Sequence, residues 1–129
     1  IAHSLEVSYG YEIYSDQKIQ DEFIRKRKYL HDILWKAGYK IPVSVFTNTE
    51  FDKEFDDLLY KKIGYDKLNK YAAGIFINSY AATSLREYFA TALTDFYMNT
   101  NHNFLKKVSP AVYEKIILLQ NIEELDNLQ

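Results

Sequence analysis

Glycine and proline are scarce in this chain, and their scarcity limits its fold more than any other feature. The 129 residues include four glycines and two prolines. A sandwich of many short strands needs frequent turns, and those turns depend largely on glycine and proline. We therefore predict a mostly α-helical fold, α+β at most, with one short edge strand or extended segment. At this length residues 1–129 are expected to form a single domain.

Composition and charge exclude several classes of function. The chain has 16 Lys and Arg against 18 Asp and Glu, a net charge of −2, so no sequence-independent nucleic-acid binding is expected. It has no cysteine, which excludes a disulfide framework, a thiolate zinc finger and a cysteine nucleophile. No apolar run reaches the roughly 18 residues that a membrane-spanning helix needs, so we expect no membrane span.

Cap residues, glycine stops and apolar spacing predict the helices. A first helix is expected to end at residues 9–11, where Gly10 can adopt a positive φ. Later helices are predicted to begin at Ser15 or Asp16, at Asn48 or Thr49, at Ser84 and at Pro110, with shorter ones at 66–71 and 104–108 and stops at Gly38 and Gly64. Segment 41–46 alternates and is rich in β-branched residues, which predicts an edge strand or extended connector. Segment 74–77 is expected to cross the core as extended chain, and 120–129 to be a frayed helix or docking segment.

The second predicted helix combines an apolar face with a charged run. Ile19, Phe23 and Leu34 recur at helical spacing, and Trp35 is expected to join them in the core. Residues 25–28 read Arg-Lys-Arg-Lys. Such a run predicts a solvated face whose aliphatic stems cover apolar neighbours.

Ser84 and Glu87 have a local structural interpretation. The segment from Ser84 to Glu87 has the S-x-x-E form of a capping box, in which the hydroxyl accepts from the Glu87 amide and the carboxylate reaches back to the Ser84 amide. A glutamate is also favoured at the positive end of a helix dipole. On this pattern alone, Glu87 is a capping residue. Tyr80, one tyrosine among twelve, has no specific role.

A longer pattern extends around Glu87. Tyr80 is followed after six residues by Glu-Tyr-Phe-Ala at 87–90 and then by Ala92, and residues 109–113 read Ser-Pro-Ala-Val-Tyr. This pattern resembles the C-terminal signature of the anthrax lethal factor family of zinc metalloproteases, which includes the Pro-Pro endopeptidases. There the motif reads Tyr-x6-Glu-aromatic-Phe-Ala-Glu-Ala-Phe, followed by an Ala-Pro-x-x-aromatic closing helix. The resemblance covers the last third of the chain and implies the C-terminal helical part of a zincin-like domain.

The family's other zinc ligands lie upstream in an H-E-x-x-H helix, where two histidines share one face and the glutamate is the general base. Ile1-Ala2-His3 fits the last three positions of that motif. The resemblance then implies that His3 is the second zinc histidine, that the first His and the catalytic Glu precede Ile1, and that the chain is the C-terminal part of a longer one. A competing alignment makes His3 the first histidine, and the motif then lacks both the catalytic glutamate and the second histidine, so the site would be inactive. We prefer the former, because it keeps the loop-like Tyr/Gly segment 8–11 where lethal factor has a similar one.

The resemblance also implies roles for individual residues. His3 and Glu87 would bind Zn²⁺, and Tyr80 would be the catalytic tyrosine that donates a hydrogen bond to the oxyanion or the leaving amine. The partner would be a peptide or protein substrate. Two departures stand out: the interval from His3 to Glu87 is longer than in lethal factor, which implies an insertion within 25–76, and Thr91 stands where the family often has glutamate.

The same resemblance leaves a second function open. The toxin family also uses a domain of this fold without a zinc site to dock on a partner protein. On that alternative the chain is a non-catalytic binding or structural module of a toxin or a bacteriophage particle, and its partners are other chains of that assembly. Either function implies a secreted or virion-associated protein. A third, purely structural interpretation keeps Glu87 as a capping residue.

Overall fold

The computed structural model describes the backbone of residues 9–127 and the side chains of residues 9–122. Residues 9–14 are helical. The α-helices that follow in the described part are α1 (Lys18–Lys36), α2 (Val43–Phe46), α3 (Lys53–Asp57), α4 (Tyr65–Ala72), α5 (Leu85–Met98), α6 (Asn103–Val108) and α7 (Pro110–Asn127). A π-helical segment, Leu58–Ile63, continues α3, and a 3₁₀ turn, Ser79–Ala82, precedes α5. The prediction of a mostly helical fold is confirmed.

Helix α1 lies at the centre of the fold, because it packs against α2, α4, α5 and α7. Its buried apolar residues recur every three or four positions, at Ile19, Phe23, Leu30 and Leu34, as expected for one face of a helix. Gly38 follows the end of the helix with a φ of 104°, a conformation that glycine adopts without steric cost. The Tyr39 amide there donates to the Leu34 carbonyl at 2.9 Å, which closes the helix as predicted.

Helix α5 begins where the sequence predicts. The Ser84 hydroxyl accepts a hydrogen bond from the Glu87 amide at 3.2 Å, so the predicted N-cap is confirmed. Tyr88 on the buried face of this helix packs its ring 5.4 Å from that of Phe23 and 5.9 Å from that of Phe76. This aromatic cluster joins α5 to α1 and to the turn at 73–76. Helices α4, α6 and α7 also lie where shorter or proline-initiated helices are predicted.

The predicted extended segment at 41–46 is wrong, because most of it forms helix α2. The Val45 amide donates to the Pro42 carbonyl at 3.1 Å, so Pro42 begins a helical turn. In the part of the chain that the structure describes, β-type pairing is limited to an isolated bridge within 73–76, so segment 41–46 has no strand to pair with. The helical turn also buries Phe46 completely, and this packing outweighs β propensity.

Four further predictions differ from the structure, and the first concerns helix α1, which begins at Lys18 rather than at 15–16. Residues 9–11 do not end a helix, because helix continues to residue 14. Helix α3 begins at Lys53 rather than at 48–49, because the Asp52 carboxylate accepts the Glu54 amide at 2.9 Å and so caps the helix. Segment 74–77 enters the core with Phe76 buried, but it is a tight turn rather than an extended strand.

Two side chains on α1 also differ from expectation. Arg27, in the run expected to be solvated, is 1% exposed, whereas Trp35, expected in the core, is 42% exposed. Position 27 follows Phe23 by four residues and precedes Leu30 by three, which places it on the buried face. Trp35 lies beside that face, one position after Leu34. None of the helices in the described ranges is long and apolar enough to cross a bilayer.

Candidate functional site

An open groove of about 710 Å³ runs along helix α5. One wall is a single face of this helix, whose lining residues recur every three or four positions: Glu87, Ala90, Thr91, Thr94, Asp95 and Met98. Ile77, Asn78 and Tyr80 line the groove from the preceding turn. The structure therefore brings together Tyr80 and Glu87, two of the three residues to which the resemblance assigns a role. Thr91, which stands in place of the family's glutamate, lines the same groove.

Tyr80 is an exposed residue within a buried segment. Its side chain is 59% exposed, whereas the other residues of 79–84 are buried. The Asn78 side chain accepts from the Ala81 amide at 3.1 Å, and the Thr83 hydroxyl donates to the Tyr80 carbonyl at 2.7 Å. These bonds fix the backbone of the 3₁₀ turn, so the turn presents the Tyr80 ring outward at the groove.

The Tyr80 ring belongs to a row of tyrosines. It lies 5.2 Å from the ring of Tyr65, which in turn lies 5.4 Å from the ring of Tyr60. The Tyr65 hydroxyl donates to the Asp56 carboxylate at 3.3 Å. Burial, together with the charge of Asp56 and this hydrogen bond, raises the pKa of Tyr65 to about 12. Tyr65 therefore supports the Tyr80 ring as a neutral phenol over the ordinary pH range.

The raised pKa of Tyr65 predicts a loss of stability in alkali. Its stabilising contribution is fully present below the unfolded pKa of about 10 and is lost as the pH rises from there through the folded pKa. We expect Tyr65→Phe to show a smaller alkaline loss in the free energy of unfolding than the wild type, measured by urea denaturation on either side of that pH. An unchanged alkaline loss in Tyr65→Phe would show that Tyr65 does not cause it.

The rotation of α5, and with it the direction of Glu87, is fixed by the buried residue that follows. The Tyr88 hydroxyl donates to one carboxylate oxygen of Glu22 at 2.5 Å. The second oxygen accepts from the Ala111 amide at 2.8 Å. Because Glu22 is on α1 and Ala111 is in the first turn of α7, one buried carboxylate ties three helices together. Tyr88 therefore faces the core, and Glu87 faces the groove.

Of the zinc ligands that the resemblance implies, only Glu87 lies among the residues that the structure describes. No cluster of three or more His, Cys, Asp or Glu that could hold a metal ion occurs among them. Glu87 contributes one half-buried carboxylate that opens onto the groove. His3, the other ligand that the resemblance implies within this chain, lies outside the described residues. The loop-like segment expected at 8–11 is helical from residue 9 onward, so that part of the resemblance is wrong.

Two residues that shape the site were not identified from the sequence. The charged run predicts a solvated Arg27 and no local pattern gives Glu22 a role, yet both are buried and both bond to segments that carry the groove. Helical spacing does indicate that Arg27 is buried, since it lies on the same helix face as the buried Phe23 and Leu30. No local signal identifies the partners of Glu22, because they lie 66 and 89 residues away along the chain.

Comparisons of the chain with protein-family models, with curated proteins and with solved structures gave no match. Support for a function therefore comes from the groove itself and from the sequence pattern around Tyr80 and Glu87.

Proposed function

We propose that the chain is the C-terminal part of a zinc-dependent endopeptidase-like domain. The observation that carries the proposal is the shared groove: Tyr80 and Glu87, singled out by the sequence pattern, line one open cleft. That cleft follows α5 from Glu87 to Met98, about 16 Å at 1.5 Å per residue. An extended peptide of about five residues fits that length. Such a groove suits a peptide substrate.

The groove residues suit the proposed chemistry. A carboxylate is an acceptable zinc ligand, and three protein ligands leave a coordination position open. Glu87 and His3 would supply two of them, and a histidine before Ile1 in the longer protein would supply the third. A bound zinc ion would polarise the scissile carbonyl as a Lewis acid.

The chain's own residues then have distinct tasks. The phenol of Tyr80 donates a hydrogen bond to the oxygen on which negative charge develops, an interaction that strengthens in the transition state. The face of α5 beyond Glu87 orients the peptide. The general base would be the glutamate before Ile1, so the 129-residue chain alone should be inactive and bind zinc weakly.

The proposal is tested by peptide hydrolysis with the full-length protein. We expect hydrolysis that a chelator abolishes and added zinc restores, and no hydrolysis by the 129-residue chain. Chelator-sensitive hydrolysis by the isolated chain would contradict the proposal. Residues other than His-Glu before Ile1, together with an inactive full-length protein, would favour the binding or structural module of a toxin or phage particle.

A further inference from the structure

Arg27 on α1 is a buried cation without an ion-pair partner among the described residues. Its side chain is 1% exposed, and its guanidinium lies 4.9 Å from the ring centre of Phe23 and 4.0 Å from that of Phe55. Burial lowers the pKa of Arg27, and the charge of Asp52 partly opposes this effect. Desolvating a guanidinium is costly, and an apolar side chain of similar volume would fill the same space at lower cost. The two ring contacts and the hydrogen bonds of Arg27 together offset that cost.

Those hydrogen bonds go to two backbone carbonyls far apart in sequence. One Nη donates to the Phe46 carbonyl at 3.2 Å, and the other donates to the Thr83 carbonyl at 2.9 Å. Phe46 is the last residue of α2, and Thr83 directly follows the 3₁₀ turn. Carbonyls at helix C-termini lack intrahelical partners and carry partial negative charge. A single guanidinium thus satisfies the ends of two short helical segments.

Thr83 connects Arg27 to the groove. Its hydroxyl and amide both donate to the Tyr80 carbonyl, at 2.7 and 3.1 Å. The next residue, Ser84, caps the helix that carries Glu87, and the Leu85 amide donates to the Thr49 carbonyl at 2.9 Å. The turn that presents Tyr80 and the start of α5 are therefore one hydrogen-bonded unit. Arg27 joins this unit to the central helix.

We infer that Arg27 is the positioning residue of the groove, whose two carbonyl bonds fix Tyr80 and Glu87 relative to helix α1. The inference rests on the proposed function for the roles of Tyr80 and Glu87, but not for their placement. A lysine retains the charge but is a point donor that cannot reproduce the fork of two bonds. A methionine fills the volume and makes neither bond.

The test is nuclear magnetic resonance of the full chain with Arg27→Lys and Arg27→Met. The control is Leu34→Ala, which removes a fully buried side chain two turns further along the same helix. In both Arg27 variants we expect the Tyr80 ring and Glu87 amide resonances to shift more than those of α6 and α7, with the larger shift in Arg27→Met. Amide exchange at Leu85 and Glu87 should accelerate about tenfold more than in Leu34→Ala, as expected for local opening.

Three results would overturn the inference. The first is that Arg27→Lys or Arg27→Met shifts the Tyr80 and Glu87 resonances no further from the wild type than Leu34→Ala does. The second is full rescue by lysine, which would show that charge alone suffices. The third is unfolding of both Arg27 variants while Leu34→Ala folds, which would make Arg27 a determinant of the whole fold. Because the resonances need neither metal nor substrate, a failure of zinc binding in the full-length protein would count against the proposed function and leave this inference intact.

Discussion

Replacing Glu22 with alanine is expected to lower the free energy of unfolding by about 3 kcal/mol. Glu22 is 3% exposed, and its two oxygens accept from the Tyr88 hydroxyl and the Ala111 amide. The variant would leave both donors unsatisfied in the interior, and each unsatisfied donor costs about 1–3 kcal/mol. It would also create a cavity at the junction of α1, α5 and α7.

Urea denaturation of three variants tests this prediction. Tyr88→Phe removes one of the two donors and should cost less than Glu22→Ala, whereas Glu12→Ala changes an exposed glutamate and should be nearly neutral. The slope of the free energy with urea should stay constant across the set, since the folded surface is unchanged. A Glu22→Ala midpoint equal to that of Glu12→Ala would mean that the carboxylate does not hold the helices together.

The second large effect concerns activity. In the full-length protein, Tyr80→Phe is expected to lower kcat by about 10² to 10³, the cost of losing one donor to a developing oxyanion. Stability and zinc content should not change, because the ring of residue 80 still contacts the ring of Tyr65 and the bonds of the 3₁₀ turn use its backbone carbonyl.

The control for Tyr80 is Tyr60→Phe. Tyr60 is equally exposed, at 59%, and belongs to the same row of tyrosines, but it does not line the groove along α5. Steady-state kinetics on one peptide substrate should show a fall in kcat for Tyr80→Phe and near wild-type kinetics for Tyr60→Phe. Equal rates in the two variants would remove Tyr80 from the proposed chemistry.

The sequence predicts helix ends well where a single residue determines them. Ser84 caps α5, Gly38 follows α1 with a positive φ, and Gly64 ends the π-helical segment after α3. In each case the signal is local, a hydroxyl aimed at a free amide or a backbone conformation that favours glycine.

The errors arise where tertiary packing decides. Segment 41–46 has the composition of a strand, but it folds as a helical turn that buries Phe46 beside Arg27. Segment 9–11 contains Gly10, yet the helix continues through it. The burial of Phe46 is not visible in local propensity, because it depends on a neighbour 19 residues away along the chain.

In the candidate site, too, some features follow from the sequence pattern and others depend on tertiary packing. The family resemblance implies that Tyr80 and Glu87 share a site, and in the structure both line one groove. The residues that hold them, Arg27 and Glu22, act through hydrogen bonds to residues 19 to 89 positions away along the chain. A charged residue on a helix gives no local sign of such partners, so its charge alone suggests a solvated position.

The most direct test of zinc binding through Glu87 is the metal content of the full-length protein. Wild type and Asp95→Asn, which alters a second carboxylate of the same groove, are expected to hold about one zinc ion per chain. Glu87→Gln should lose at least about a hundredfold in zinc affinity, and its free energy of unfolding without metal should fall by at most about 1 kcal/mol. Zinc content in Glu87→Gln equal to that of the wild type would contradict the proposed site and leave Glu87 as a helix cap.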